Sequence, residues 1–253
     1  NNMEFNFFTF IFLFAILTSV VALLWLNFRQ DRAIKSSFNE VPEGFNETIT
    51  LEDHQKAGHY TQAKLLANHF EIIFSTIVLL IWTLGGAMNW LDIFWHERIS
   101  DPILLGTVFI LSIMFIASFI DLPFSIYRNF ILEERFGFNR MTIKTFTSDL
   151  IKELILTLAL GMPLIYAILY LMNMSAIGDY WWIYVWAILS LFTIIMMWIY
   201  PTFIAPIFNK FKPLENNSLR NRIDNLLDRT GFGSDGIFVM DGSKRSSHGN
   251  AYF

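Results

Sequence analysis

The sequence predicts an all-α multispan membrane protein with five transmembrane helices, followed by the start of a small α+β cytoplasmic domain. Two observations carry the membrane reading. Of 253 residues, 54% are hydrophobic and only 16% are charged, against about 25% charged in a soluble domain. The uncharged stretches are also long enough to cross hydrocarbon, which takes about 20 apolar residues in a helix. A third observation, the distribution of Lys and Arg between the stretches, sets the orientation.

The first uncharged run, 5–28, lies between Glu4 and Arg29. It lacks the basic start and small-residue cleavage site of a signal peptide and is too long for one, so it reads as a retained span. Asn1-Asn2-Met3-Glu4 reads as a tag remnant ahead of a start methionine. Four further runs follow at 72–91, 102–120, 154–178 and 180–209. The last is longer than a crossing requires, and its end is expected to leave the bilayer near Tyr200-Pro201. Residues 1–209 are thus one membrane region, and 210–253 begin a cytoplasmic domain.

Basic residues alternate between loops. None precedes the first span, and the next loop holds Arg29, Arg32, Lys35, Lys56 and Lys64. Arg98 stands alone between spans two and three. Arg128, Arg135, Arg140, Lys144 and Lys152 follow span three, and none lies between spans four and five. Seven close the chain, from Lys210 to Arg245. Cytoplasmic loops carry the excess of Lys and Arg, so the N-terminus is expected outside and the C-terminal tail inside. The alternation also requires an odd number of spans.

The loops carry their own signals. Thr50 three residues ahead of Asp53 is a capping-box-like start for a helix over 55–70 that runs into span two. In loop three, Glu133-Glu134-Arg135 followed by Phe136 and Gly137 reads as a helix end with Gly at C′. Ser148-Asp149 is expected to cap span four. In the tail, Leu219, Ile223, Leu226 and Leu227 fall on one face of a helix ended by Gly231. A strand over 237–240 follows, and another is expected to begin at Asn250.

The composition removes several functional classes. No cysteine is present, so there is no disulfide, thiolate metal site or Cys nucleophile. A net charge of -4 gives no global basic signature, and no nucleic-acid partner is expected. No charged side chain falls within the five runs, which argues against a proton-coupled transport path. His54 and His59 lie about 140° apart round a helix, His69 is in phase with neither, and Ser100 stands where His96-Glu97 would need a second His. These four read as surface or interfacial histidines. Glu133 and Glu134, adjacent on a helix, do not face one another. They read as local ion pairing, with a brace from loop three to the tail as the other possibility. Gly85-Gly86 reads as a close helix contact or kink.

One stretch is more specific. Lys244-Arg245-Ser246-Ser247-His248-Gly249-Asn250-Ala251-Tyr252-Phe253 resembles the segment just upstream of the catalytic helix in type-1 CAAX prenyl proteases, the integral-membrane zinc metallopeptidases. Other segments agree in order: Tyr60 to Lys64, Glu133 to Asn139, Tyr200 to Asn209, and Lys212-Pro213-Leu214. The resemblance covers essentially the whole chain, as the family's N-terminal region. Gly249 stands where many relatives have Ser. The family's H-E-x-x-H helix, distal glutamate ligand and last two spans are absent from these residues.

The resemblance implies a zinc endopeptidase that cleaves peptide bonds near the membrane surface, in CAAX-box processing or membrane-protein quality control. It implies Zn²⁺ in the intact protein, held by two His and a distant Glu beyond Phe253, with one open position for an activated water. This chain alone is expected to bind no zinc and to be inactive. Its expected partners are the lipid bilayer and an extended peptide or membrane-protein substrate, in a bacterial inner membrane or the endoplasmic reticulum. Main-chain pairing to an edge strand would align that substrate. Asn250 is expected to place its amide on the substrate backbone, and Ala251 to offer main-chain groups beside the scissile bond. Tyr252 and Phe253 would line the pocket, with Phe253 the core anchor, and His248 would either reach the developing oxyanion or stand as a neutral loop histidine. The alternative is a non-catalytic multispan channel or scaffold with a partner-binding tail.

Overall fold

The structure, a computed structural model, describes residues 6–234 and 236–249. Five helices are long and apolar enough to cross a membrane: α1 (Phe7–Ser36), α2 (Leu51–Thr83), α4 (Pro102–Arg135), α5 (Ile143–Asn173) and α6 (Gly178–Phe208). A short helix α3 (Ala87–His96) lies between α2 and α4. Then follow strand β1 (Phe211–Pro213), helix α7 (Asn217–Thr230) and strand β2 (Phe238–Met240). The fold class expected from the sequence is the one observed. Phe7, Phe8, Phe119 and Met197 are among the many large apolar side chains turned outward, the arrangement a hydrocarbon solvent favours.

The helices run past the uncharged stretches that announced them. Asn6 caps α1 by accepting from the Thr9 N–H at 2.9 Å, and the helix continues through Arg29 to Ser36. Thr50 caps α2 as its spacing required, taking the Asp53 N–H at 3.1 Å. The expected second span, 72–91, is not one helix. α2 ends at Thr83, and Gly86 takes φ +80° to start α3. A side chain at Gly85 would meet the Ile81 carbonyl oxygen at 2.7 Å. The two glycines therefore make a break, the kink that Gly85-Gly86 suggested.

Ser148-Asp149 is not a cap. Thr142 starts α5 by accepting from the Thr145 N–H at 3.1 Å, and Asp149 lies inside the helix. The last long helix continues through Tyr200-Pro201. Proline breaks the regular ladder because it lacks an N–H; here the helix widens to a π turn over Tyr200–Ile204 and resumes as Ala205–Phe208. Two more π turns interrupt α4 at Arg128–Leu132 and α5 at Thr157–Gly161.

The described residues form two compact units. One holds the residues up to Ser100 with Phe115–Phe136; the other holds Asp101–Met114 with the residues from Gly137 onward. In the first, Gln62 donates to Asp31 at 3.0 Å and His54 Nε2 donates to the Ser37 carbonyl at 2.8 Å, joining α1 to α2. Gly58 lets Phe38 approach, since a Cβ there would sit 3.1 Å from its ring. The α2 helix also meets the later part of α4, through Phe74 against Phe124 and Arg128 paired with Glu71 at 3.2 Å.

In the second unit, Thr107 is fully buried and satisfies its hydroxyl on the Ile103 carbonyl at 2.8 Å. A side chain at Gly106 would strike Leu169 at 2.9 Å, so glycine sets how closely α4 and α5 approach there. β1 and β2 pair antiparallel, Lys212 opposite Val239. Among the described residues the order is strand, helix, strand; the sequence had announced the helix, β2 and a further strand from Asn250, which lies outside the described residues. β1 was hidden by its length and by Pro213, which suits only an edge. Asn216 caps α7 and Gly231, at φ +67°, ends it.

Candidate functional site

The stretch from Asp241 to Gly249 is built onto the end of α6 and onto loop three. Asp241 fixes its start. Its Oδ1 accepts from the Lys210 N–H at 2.7 Å, and its own N–H donates to the Lys210 carbonyl at 3.1 Å, extending the β1–β2 pairing. Partial burial pushes the Asp241 carboxyl upward. That is outweighed by the Lys210 N–H and by the charges of Lys244 and Arg245, which together hold it below its usual range.

The last turn of α6 then gathers cations. A helix C-terminus leaves carbonyl oxygens without intrahelical partners and carries partial negative charge. Lys152 Nζ donates to the Ile207 carbonyl at 2.9 Å, and Lys244 Nζ to the Phe208 carbonyl at 2.7 Å. Arg245 Nη2 also donates to the Phe208 carbonyl, at 2.8 Å.

Arg245 is the densest node. Its Nε and Nη2 grip the two oxygens of Asp149 at 2.7 and 3.0 Å, and Nη1 donates to Asn209 Oδ1 at 2.5 Å. The side chains of Arg245 and Asp149 are only 19% and 13% exposed. Removing one partner of a pair this covered strands the other charge, a loss on the order of 3 kcal/mol.

The backbone on either side of Arg245 pairs with loop three. Asn139 and Ser246 face each other antiparallel. The Arg140 N–H donates to the Arg245 carbonyl and the Ser247 N–H to the Phe138 carbonyl, both at 3.0 Å. Gly137, at φ +77°, turns the chain from α4 into this extended run. The turn is the C′ position that the sequence marked.

His248 stacks on Phe138, ring centroids 4.4 Å apart and planes 27° from parallel. Its N–H donates to Ser246 Oγ at 3.2 Å. The structure therefore brings His248 to loop three. Asn250, Ala251, Tyr252 and Phe253 lie outside the described residues. Glu133 braces a different place from the one considered from sequence: its Oε1 accepts from the Tyr60 hydroxyl at 2.5 Å, tying the end of α4 to α2.

Asp149, Asn209 and Arg245 were not singled out by their chemistry. Arg245 and Asn209 sat inside recognisable segments. Asp149 reads in the sequence only as part of a helix cap, because a long-range ion pair leaves no spacing to read. Among the described residues, no three His, Cys, Asp or Glu side chains are grouped to hold a metal ion. They supply no ligand set for the zinc that the resemblance implies.

What this frame offers is an extended segment, already paired on one side, leading into 250–253. Arg245 commits four of its five side-chain N–H donors to Asp149, Asn209 and Phe208, which points its side chain to structural placement.

Comparison with known proteins follows the same lines. A family model described as CAAX prenyl protease N-terminal, five membrane helices, matches residues 30–210. A CAAX prenyl protease 1 homolog of Dictyostelium discoideum is 38% identical over 239 residues, covering 90% of this chain and 54% of that protein. CAAX prenyl protease 1 of Saccharomyces cerevisiae is 35% identical over 245 residues, with 90% and 52% covered. The crystal structure of S. mikatae Ste24p superposes with a TM-score of 0.82 at 33% identity, over 94% of this chain and 56% of that one. The chain spans about half the length of the curated relatives it matches. It belongs to the CAAX prenyl protease family, as a multipass membrane chain that matches the family's N-terminal, five-helix region.

Proposed function

We propose that this chain is the membrane and substrate-aligning part of a zinc metalloendopeptidase that cleaves peptide bonds near the membrane surface. Its substrates are the C-terminal peptides of CAAX proteins or membrane proteins under quality control. The observation that carries the reading is the antiparallel pairing of Arg245–Ser247 with Phe138–Arg140. It supports a paired frame immediately ahead of residues 250–253, where an edge strand would take up an extended peptide by main-chain hydrogen bonds. In this reading Asn250 bonds the substrate backbone, Ala251 lies beside the scissile bond, and Tyr252 and Phe253 line the pocket. His248 stands near the developing oxyanion.

Zinc enters the intact protein through ligands supplied beyond Phe253. When bound, it supplies an activated water and Lewis-acid polarisation of the carbonyl. The residues described here bind and orient, and no proton transfer is assigned to them. The excess of Lys and Arg in alternate loops supports a cytoplasmic tail and an N-terminus outside.

The test is on the intact protein in detergent or liposomes. About one zinc per chain is expected, with cleavage of a prenylated CAAX peptide that a chelator abolishes and added zinc restores. Intact protein lacking both zinc and peptidase activity would leave the channel or scaffold reading in its place.

A further inference from the structure

We propose that Arg245 is the positioning residue of the substrate-aligning segment, setting the register in which the chain enters 250–253. This rests on the reading of Asn250 given above. Arg245 reaches three elements at once: Asp149 on α5, Phe208 and Asn209 at the end of α6, and, through its carbonyl, Arg140 of loop three. Helix capping alone does not require it, because Lys152 and Lys244 already serve the Ile207 and Phe208 carbonyls. Among the described residues, Arg245 joins that anchor directly to the backbone pairing, since the pairing begins at its own carbonyl.

Register matters here because the pairing is short. Among the described residues, Asn139–Ser246 is flanked by one backbone hydrogen bond on each side, so an anchor outside the pairing helps to hold its register. A slip by one residue advances a strand by about 3.4 Å and turns every side chain to the other face. Asn250 stands three residues past Ser247, so such a slip would carry its amide off the substrate. A bidentate guanidinium–carboxylate grip opposes both sliding and rotation, which a lysine ammonium cannot do.

The pairing provides its own readout. Asn139 and Ser246 form the non-hydrogen-bonded kind of antiparallel pair, with Cα atoms about 4.5 Å apart, within disulfide range. These 253 residues hold no cysteine, and any cysteine elsewhere in the intact enzyme is first replaced by serine. In the intact enzyme under mild oxidant, Asn139→Cys with Ser246→Cys should cross-link, and Asn139→Cys with Ser247→Cys should not.

Adding Arg245→Lys should cut the first cross-link at least threefold and let the second appear. By itself Arg245→Lys should lower kcat at least tenfold, with zinc content unchanged. A merely structural arginine would change stability but not which cysteines pair. If Arg245→Lys does not fold, Asp149→Glu, which keeps the charge but displaces the fork, is read instead with the same expectation. An unchanged cross-linking pattern and unchanged kcat in the folded variant overturn the proposal. Should Asn250→Ala inactivate while Arg245→Lys does not, only the positioning role falls. Should Asn250→Ala leave activity intact, the substrate-strand reading itself falls.

Discussion

Tyr60 donates its hydroxyl hydrogen to Glu133 Oε1 at 2.5 Å across 73 positions of sequence, and its ring meets Phe136 edge-on at 5.2 Å. The two residues lie in two of the segments that resemble the family. Their contact ties the end of α4 to α2, with Leu65 and Leu132 buried in the same unit. A hydrogen bond to a charged group contributes about 1.5–3 kcal/mol, and in a chain of this size each kcal/mol moves Tm by about 2–4 °C. Tyr60→Phe should therefore lower the unfolding midpoint in detergent by about 3–6 °C at the partly exposed end of that range. Glu133→Gln, which keeps an acceptor, should cost less. An unshifted midpoint for Tyr60→Phe would contradict the brace.

Gly137 sits at φ +77° with nothing within 4 Å of where a Cβ would be. Gly137→Ala should therefore cost only the left-handed backbone term, about 1–2 kcal/mol. Gly161 lies in the π turn of α5, with its nearest such contact at 3.9 Å. Gly161→Ala should be neutral or gain up to about 1 kcal/mol. Thermal unfolding of the two variants side by side checks the contrast.

His248 and Phe138 stack face to face, and such pairs contribute about 0.5–1.5 kcal/mol beyond burial. His248→Ala should lose that much, while His248→Phe should keep it. In the proposed reading, His248→Phe also lowers kcat at unchanged stability, because the ring is kept and the nitrogen that faces the oxyanion is gone. Equal activity of wild type and His248→Phe would reduce His248 to a packing residue.

Asp241 gives a pH test. Its folded pKa lies below the ordinary 3.8 of an unfolded aspartate. The ionised form is therefore the one the fold favours. The stabilisation is complete above about pH 4 and is lost as pH falls through the lowered folded value. Asp241→Asn should leave a smaller loss of unfolding midpoint between pH 5 and pH 3 than wild type shows. Identical slopes would mean that the Lys210–Asp241 contacts do not stabilise the folded tail.

Much of the fold was legible because apolar length and local spacing are properties of short windows. The uncharged runs located the five long helices, and Thr50, Gly137 and Gly231 marked ends that the backbone confirms. Helix ends were underestimated because a charged residue stops a hydropathy run without stopping a helix that continues into water, as α1 does past Arg29. β1 gave no periodicity in three residues that include a proline.

The site was half legible. Its tail was recognisable as a string of residue types, but its partners were not. Asp149, read as a cap, lies instead under the Arg245 guanidinium. Asn139 faces Ser246 across more than a hundred residues of chain. Neither relationship has a fixed spacing, so only the fold reveals it.

The most direct measurement is the peptidase activity of Asn250→Ala in the intact, zinc-loaded enzyme. The account predicts a fall in kcat/KM of at least tenfold, with zinc content and unfolding midpoint at wild-type values, because a substrate-backbone hydrogen bond is removed and the metal is untouched. Wild-type kcat/KM in that variant would contradict the claim that this chain aligns the substrate.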